Sequence, residues 1–369
     1  MQIIVCWNFL VLDSIPLSNI PTPHQKHRAN SLMKQNKSLK FISFLQTLAI
    51  ILVVTGHSLH EYPENNGFST LAYHLIYSFH MPLFIFISGY LFRYTQTNKE
   101  TPQPYSTFFK KKFQRLIVPY LFLCAITFVP RALMSAYADE PIEISFHNFI
   151  GSLLYTDKMS IPYLWFLPAI FILLNISYFT NRLFRQLEPA ILFILLAIGF
   201  IFNLTIGHDS ITLLAISRAL FHFVFFILGI CYATYQHQLN VLNNIPSLLI
   251  FFAIWLCTAF ISRNGNEVVA LVCSISGIAF CTVMSILVAD KIKFLTHLEG
   301  FSFMIYLLSW YTEIFCQQML HSFTDFAWWV YTILAIATSI YAPWAIGKIL
   351  FRYSSRSKIA RHMLFLLGH

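Results

Sequence analysis

Charged residues are scarce in this sequence: they make up 11% of its 369 residues, whereas 57% are hydrophobic. Soluble globular domains carry roughly 25% charged residues, so a chain of this length could not cover a water-facing surface with so few. The mean hydropathy is +0.65, and aromatic residues reach 17%, with 38 phenylalanines. We therefore expect the lipid bilayer, rather than water, to be the main solvent of this protein.

Several motifs of soluble enzymes are absent as well. The sequence has no Walker A, GxGxxG, GxSxG or HExxH pattern, and its polar connections are too short for the nucleotide domain of an ATP-driven pump. The seven cysteines form no CxxC pair and no cysteine–histidine cluster at zinc spacing. No period of 20–50 residues repeats. We expect no metal site and no solenoid architecture.

Long apolar runs are what the sequence does contain. A membrane-spanning helix needs about 20 mostly apolar residues. Runs of that order lie at 41–59, 71–92, 115–137, 163–180, 189–206, 211–234, 246–262, 268–289, 301–320 and 327–350. Short polar connections such as 207–210 and 263–267 make neighbouring helices antiparallel. The sequence predicts an all-α, polytopic integral membrane bundle of about ten transmembrane helices.

Lysine and arginine divide unevenly between the two sides of such a bundle. One side receives 18 of them: Lys34, Lys37, Lys40, Arg93, Lys99, Lys110, Lys111, Lys112, Arg115, Arg182, Arg185, Lys291, Lys293, Lys348, Arg352, Arg356, Lys358 and Arg361. The other side receives three, Arg131, Lys158 and Arg263. Because basic loops stay in the cytoplasm, we expect a multi-pass protein of the inner or plasma membrane with both termini cytoplasmic.

The densest basic cluster, Lys110, Lys111, Lys112 and Arg115, lies on this cytoplasmic side. One interpretation is a topology signal that also meets anionic lipid headgroups. The other is a seat for the phosphates of a cytoplasmic ligand. The net charge of +9 does not indicate nucleic acid, because the basic residues flank apolar runs.

The two ends of the chain differ from its middle. Residues 1–36 are expected to be a tail that is disordered or lies upstream of the true start, which we place at Met33, since MKQNKSLK opens a first helix in the conventional way. Residues 37–352 are expected to form the transmembrane domain, and residues 353–369 a basic cytoplasmic tail.

Polar side chains inside spanning helices are costly and therefore mark candidate functional sites. Gln46 and His57 are 11 residues apart, which places them on one face of the first helix, about 16 Å apart along its axis. The alternatives are an interfacial histidine and an interhelical hydrogen bond. His80 lies within the second helix, where Pro82 deprives the carbonyl of Ser78 of its helical donor and favours a kink with local polar partners.

Three further groups lie in the outer half of the predicted bundle. Arg218 and His222 are spaced i, i+4 on the sixth helix and share a face. Glu313 is an acid deep in the ninth helix. An ion pair between Arg218 and Glu313 would neutralise both, and the alternative is a substrate site. A set of polar groups at one depth suggests a cavity that opens outward.

The order of several segments resembles the membrane-bound acyltransferase 3 family. These segments are FISFLQTLAIILVVTGH (41–57), FHMPLFIFISGYLF (79–92), FQRLIVPYLF (113–122), LWFLPAIF (164–171), FFILGICY (225–232) and SFMIYLLSW (302–310). The resemblance covers nearly all of 38–352. His57 matches the family's histidine, whereas Gln46 stands where arginine or lysine is usual and Ser309 where many members have histidine.

The resemblance implies transfer of an acyl group, commonly acetyl, from cytoplasmic acyl-CoA to a hydroxyl of a cell-surface glycan or lipid-linked sugar. It implies about ten helices and no metal cofactor. We expect a catalytic set and a substrate-binding set. The catalytic set is His57, His80, Gln46 and Glu313, and the substrate-binding set is Arg218, His222, Trp165 and Ser309. Lys110, Lys111, Lys112 and Arg115 would bind the CoA phosphates.

Two other functions fit the same sequence. A transporter or flippase of glycan or lipid would also have about ten helices and an outward polar cavity, although the repeat symmetry typical of transporters is absent. A non-catalytic relative of the family is the third hypothesis, because Gln46 and Ser309 depart from its pattern.

The uneven distribution of basic residues makes a direct prediction about topology. A reporter fused after residue 100 should be cytoplasmic, and one inserted within 140–160 should be external. The measurement is the activity of a compartment-specific reporter at each position. The opposite reading at both positions would reverse the orientation and the side from which acyl-CoA is bound.

Overall fold

The computed structural model describes residues 25–60, 67–97, 103–133, 143–183, 188–292, 295–323 and 327–369. Within these ranges the chain is helical, and its extended structure is a single bridge between Tyr155 and Leu213. The longer helices are Gln25–His60, Gly67–Tyr77, His80–Thr97, Val118–Leu133, Phe166–Leu183, Glu188–Thr205, Phe223–Tyr235, Ile245–Ile261, Glu267–Val288, Ser302–Phe323 and Trp328–Tyr353. Shorter ones are Tyr105–Lys112, Phe146–Leu154, Ile216–Phe221 and Lys358–Leu366.

Six stretches of the described chain are long and apolar enough to cross a bilayer. They are Lys40–Leu59, Gly67–Thr95, Tyr105–Leu133, Pro162–Thr180, Glu267–Val288 and Trp328–Tyr353. Three shorter apolar helices are Pro189–Thr205, Phe223–Tyr235 and Ile245–Ile261. The protein is therefore an all-α, multi-pass membrane bundle, and the exact number of ten spans stays a prediction. Residues 1–24 of the predicted tail lie outside the described chain.

The described residues of Met1–Ile87 and Thr234–Lys348 form one compact unit, called unit 1 here. Its first helix, Gln25–His60, packs against Gly67–Tyr77, Glu267–Val288 and Ser302–Phe323. The apolar face of the first helix explains this, since Leu45, Ala49, Ile50 and Val54 are fully buried. Helices packed around an apolar face bring the polar residues on that face into the interior.

Unit 2 consists of Ser88–Ala233 and Ile349–His369. In it, Phe166–Leu183 and Glu188–Thr205 pack against the short helix Ile216–Phe221, and Lys358–Leu366 packs against Val118–Leu133. The predicted third span begins earlier than expected. Tyr105–Lys112 continues through a π-helical segment, Phe113–Ile117, into Val118–Leu133. Pro119 cannot donate to the carbonyl four residues before it, which favours this wider turn at Arg115.

The predicted single helix 211–234 is wrong. Leu214 and Ala215 adopt left-handed backbone angles, with φ of 49° and 59°, so the helix begins only at Ile216. It then breaks at His222, whose φ and ψ are −90° and 0°, and resumes as Phe223–Tyr235. Left-handed angles cost a residue with a side chain roughly 1–2 kcal/mol, which hydropathy does not reveal.

A close approach within unit 2 requires glycine. A methyl group built on Gly89 would collide with the backbone carbonyl of Phe226, so the helices His80–Thr97 and Phe223–Tyr235 touch backbone to backbone there. Ser88 and Gly89 provide the small surface that this contact needs, because small residues let membrane helices approach closely.

Gly89→Ala should therefore destabilise the protein by about 1–3 kcal/mol, the usual cost of overpacking a close contact. The measurement is the thermal unfolding midpoint of the purified protein in detergent. Gly67→Ala is the matched control, because a methyl group on Gly67 meets no atom within 4 Å. Equal midpoints for the two variants would contradict the close approach.

Candidate functional site

Tyr77 is the centre of a polar group in unit 1 that we call the tyrosine–histidine cluster: His57, Tyr73, Tyr77, His80 and Glu313. The hydroxyl oxygen of Tyr77 lies 3.2 Å from Nδ1 of His57, within hydrogen-bond distance. The ring of His80 lies edge-on to Tyr77, with centroids 4.5 Å apart. The ring of Tyr73 lies against that of Tyr77, with centroids 4.0 Å apart and planes tilted by 34°.

His80 is oriented by the break between the helices Gly67–Tyr77 and His80–Thr97. Its Nδ1 donates to the carbonyl of Ile76 at 3.0 Å, because a carbonyl can only accept. A neutral His80 therefore carries its lone pair on Nε2. The side chain is 3% exposed.

The break itself is stabilised by polar contacts within unit 1. The carbonyl of Ser78, which loses its helical donor to Pro82, accepts from the hydroxyl of Ser274 at 2.7 Å. The indole of Trp255 donates to the Ser78 hydroxyl at 3.2 Å. This confirms the expected polar partners at the Pro82 kink. His80 is thereby fixed against Tyr77.

Glu313 and Ser309 lie one turn apart on the helix Ser302–Phe323 and are 4% and 5% exposed. The carboxylate of Glu313 is close enough to interact electrostatically with the phenol of Tyr77, so Glu313 joins the tyrosine–histidine cluster. Ser309 lies on the same helix face as Glu313, and its expected role in substrate binding stays a prediction.

Gln46 does not join the cluster. It is 4% exposed, and its amide nitrogen has no hydrogen-bond partner within the described part of the chain. A rise of 1.5 Å per residue separates it from His57 by about 16 Å along the first helix. Gln46 and His57 thus lie on one helix about three turns apart, and a catalytic role for Gln46 stays a prediction.

A second polar group, in unit 2, surrounds Arg218. We call it the arginine–tryptophan cluster: Trp165, His208, Asp209, Arg218 and His222. The guanidinium of Arg218 lies over the Trp165 ring, 5.0 Å from its centroid. The rings of His222 and His208 lie 5.3 Å and 5.7 Å from that of Trp165. The three substrate-binding candidates Trp165, Arg218 and His222 are thus brought together.

Asp209 is the ion-pair partner of Arg218, and not the helical acid Glu313 that the sequence suggested. Nε of Arg218 donates to Oδ1 of Asp209 at 2.7 Å, and Nη2 lies 2.6 Å from the same oxygen. Oδ2 of Asp209 lies 3.0 Å from Nδ1 of His208. Nδ1 of His222 donates to the carbonyl of Arg218 at 2.8 Å, which ties the histidine to the same turn.

Leu214 and Ala215, which precede Arg218, have strained backbone angles, and hydrogen bonds to neighbouring backbone hold them in place. The left-handed residues Leu214 and Ala215 follow the bridge to Tyr155, and the amide of Leu214 donates to the carbonyl of Leu154 at 2.7 Å. Ala215 is fully buried. Strained backbone held by its surroundings is concentrated at functional sites, and here it sets the start of the helix that carries Arg218.

Burial and neighbouring charges shift the pKa values of His208 and Asp209. Burial lowers the pKa of His208, with the nearby Arg218 acting in the same direction against the hydrogen bond to Asp209. Partial burial acts to raise the pKa of Asp209, but its hydrogen bonds with His208 and Arg218 outweigh that effect and leave the pKa below its usual value. At neutral pH His208 is therefore neutral, and the ionised Asp209 is paired with Arg218.

The four basic residues of 110–115 differ in their exposure. Lys110 and Lys111 are exposed, whereas Lys112 and Arg115 are each 7% exposed. Lys112 lies over the Phe108 ring at 5.5 Å. Arg115 donates from Nη1 to the carbonyl of Gly368, and the same nitrogen lies 3.2 Å from Nδ1 of His369. The C-terminal residues therefore already occupy Arg115, leaving Lys110 and Lys111 accessible to a polyanion.

Sequence reasoning missed Tyr73, Tyr77, His208 and Asp209. Tyr73, Tyr77 and His80 follow spacings of four and three, which places all three on one helical face, so this signal was present in the sequence. His208 and Asp209 belong to a four-residue polar segment interpreted only as a connection. No periodicity marks them.

Comparison with known proteins identifies the family of the chain. The model of a family described as "Acyltransferase domain", the acyltransferase 3 family, matches residues 39–348. The chain belongs to the acyltransferase 3 family. A curated relative, nodulation protein NolL of Sinorhizobium fredii (strain NBRC 101917 / NGR234), is 30% identical over 220 residues.

The match to the nodulation protein covers 58% of this chain and 54% of that protein, so the chain spans about half the length of the curated relative it matches. No solved structure matches the chain. The family match extends from the first helix to Trp328–Tyr353 and therefore includes both polar clusters.

Proposed function

We propose that the protein is a membrane O-acyltransferase that moves an acyl group, acetyl in the simplest case, from cytoplasmic acyl-CoA to a hydroxyl of a cell-surface glycan or lipid-linked sugar. Membership of the acyltransferase 3 family supports the reaction class. The observation that carries the proposal is the tyrosine–histidine cluster, since it offers two histidines and a tyrosine hydroxyl in a largely apolar bundle.

His57 is the proposed general base. A sugar hydroxyl is a weak nucleophile until its proton is removed, and histidine has the pKa for that task near neutrality. To accept a proton at Nε2, the ring must carry hydrogen on Nδ1, where the Tyr77 oxygen 3.2 Å away can accept it. Glu313, which interacts electrostatically with Tyr77, is the proposed source of the negative charge that would stabilise a protonated His57.

The reaction then balances without a further reactant. The deprotonated hydroxyl oxygen attacks the thioester carbonyl, the carbon–sulfur bond breaks, and the CoA thiolate takes up the proton held by His57. His80 is the alternative base, because its hydrogen bond to Ile76 leaves Nε2 as the acceptor.

The donor is proposed to bind through the basic stretch. CoA carries several phosphate charges, which pair well with lysine and arginine side chains. Lys110 and Lys111 are accessible for this contact, whereas Arg115 would have to exchange its contacts with Gly368 and His369 for phosphate oxygens. Anionic lipid is a further expected partner of the same face.

His57→Gln tests the base directly. Glutamine retains hydrogen bonding but cannot take a proton, so the transfer rate should fall by about 10²–10⁴-fold. The measurement is transfer of labelled acetyl from acetyl-CoA to extracted envelope glycans by the purified protein. His147→Gln changes an exposed histidine and is the control. His57→Gln activity within about threefold of wild type would pass the role to His80, tested in the same way.

Lys110→Glu combined with Lys111→Glu tests the donor site. Each lost charge-assisted contact costs about 1.5–3 kcal/mol, so the KM for acetyl-CoA should rise by about tenfold or more, with little change in kcat. Lys358→Glu, another exposed lysine, is the matched control. An unchanged KM in a protein that keeps its orientation would mean that the basic stretch is a topology signal alone.

A further inference from the structure

The exposed residues of the arginine–tryptophan cluster lie at the polar connection that follows the apolar helix Pro189–Thr205. His208 and Asp209 belong to the connection that follows Glu188–Thr205, and Arg218 is on the first turn of Ile216–Phe221. The side chains of His208 and Asp209 are 39% and 55% exposed, and that of Arg218 is 16% exposed. A ligand can therefore reach Asp209 and the edge of Arg218 from water.

The position of Arg218 is set before any ligand arrives. Its guanidinium rests on Trp165, which is itself 7% exposed, while Asp209 holds Nε and Nη2. The remaining nitrogen, Nη1, makes no hydrogen bond within the described part of the chain and is not enclosed. A planar guanidinium held in this way presents its free edge as a rigid donor.

The charges of the cluster select among ligands. Arg218 and Asp209 cancel each other, and His208 is neutral at pH 7 because burial lowers its pKa. A phosphate or carboxylate placed on Arg218 would also approach the carboxylate of Asp209, and like charges in contact are unfavourable. A neutral hydroxyl meets no such penalty.

Hydroxyl groups fit the hydrogen-bonding pattern of the pair. A hydroxyl both donates and accepts, an ionised carboxylate only accepts, and a guanidinium only donates. Asp209 retains unused lone pairs, since each of its oxygens can accept more than one hydrogen bond. Two adjacent hydroxyls on one sugar ring can therefore bind side by side, one donating to Asp209 and one accepting from Nη1 of Arg218.

We infer that the arginine–tryptophan cluster binds the acyl acceptor, and that this acceptor presents a neutral sugar residue recognised through two adjacent hydroxyls by Asp209 and Arg218. The inference rests on the proposed function only in identifying the ligand as the acceptor. Asp209 and Arg218 are substrate-binding residues in this inference, not catalytic ones.

Binding of methyl hexosides to the full-length protein in lipid nanodiscs, without acyl-CoA, tests this inference. The probes are neutral methyl glycosides of glucose, galactose, mannose and fucose, their monodeoxy derivatives, and inorganic phosphate, with affinity measured by ligand-observed NMR. At least one neutral glycoside should bind the wild type, and inorganic phosphate should not compete. Removing either of two adjacent hydroxyls should weaken binding about tenfold or more, as for other hydrogen bonds to charged groups.

Asp209→Asn should weaken binding of the parent glycoside by about tenfold or more, and should make inorganic phosphate a competitor, because the charge of Arg218 is then unopposed. In Asp209→Asn, removing the hydroxyl that donates to Asp209 should weaken glycoside binding little further. In Arg218→Lys, removing the adjacent hydroxyl, which accepts from Arg218, should likewise weaken binding little further. Asp157→Asn, an exposed acid of unit 2, is the matched control and should behave as wild type.

Two results would overturn the inference: glycoside affinity that is unchanged in Asp209→Asn, or a wild type that binds inorganic phosphate here and none of the neutral glycosides. The proposed function fails separately. Glycoside binding that depends on Asp209, in a protein that never transfers an acyl group, would leave this binding site in place and remove the transferase reaction.

Discussion

The hydrogen bond from Ser274 to the carbonyl of Ser78 is the contact on which the tyrosine–histidine cluster depends. Pro82 has no N–H to offer that carbonyl, and an unsatisfied backbone group in the apolar part of a membrane costs several kcal/mol. Ser274 satisfies the carbonyl and Trp255 satisfies the Ser78 hydroxyl. The chain can therefore break between two apolar helices, so that His80 faces Tyr77 and Tyr77 meets His57.

The two polar clusters handle charge in different ways. The tyrosine–histidine cluster combines hydroxyls, imidazoles and one carboxylate within apolar helices. The arginine–tryptophan cluster neutralises its ions internally through Arg218 and Asp209. The first arrangement suits proton transfer, and the second suits recognition of neutral hydroxyls.

Sequence reasoning predicted the parts of the protein that depend on hydropathy and helical spacing. The helical membrane fold and the kink near Ser78 both follow from residue types at known intervals. The break before Arg218 did not follow, because the left-handed Leu214 and Ala215 are stabilised by a bridge to Tyr155, a contact distant in sequence. For the same reason Asp209 was missed, since its role depends on a turn that returns it to Arg218.

The central claim is that a hydroxyl of a glycan becomes acylated at the expense of acyl-CoA. The most direct measurement incubates the purified protein in proteoliposomes with acetyl-CoA labelled in its acetyl group and with envelope glycans, followed by mass spectrometry. Our account predicts an alkali-labile acetyl ester on the glycan, formed in equal amount to the CoA thiol released. Glycan that crosses the membrane without modification, with acetyl-CoA intact, would contradict it and indicate a transporter.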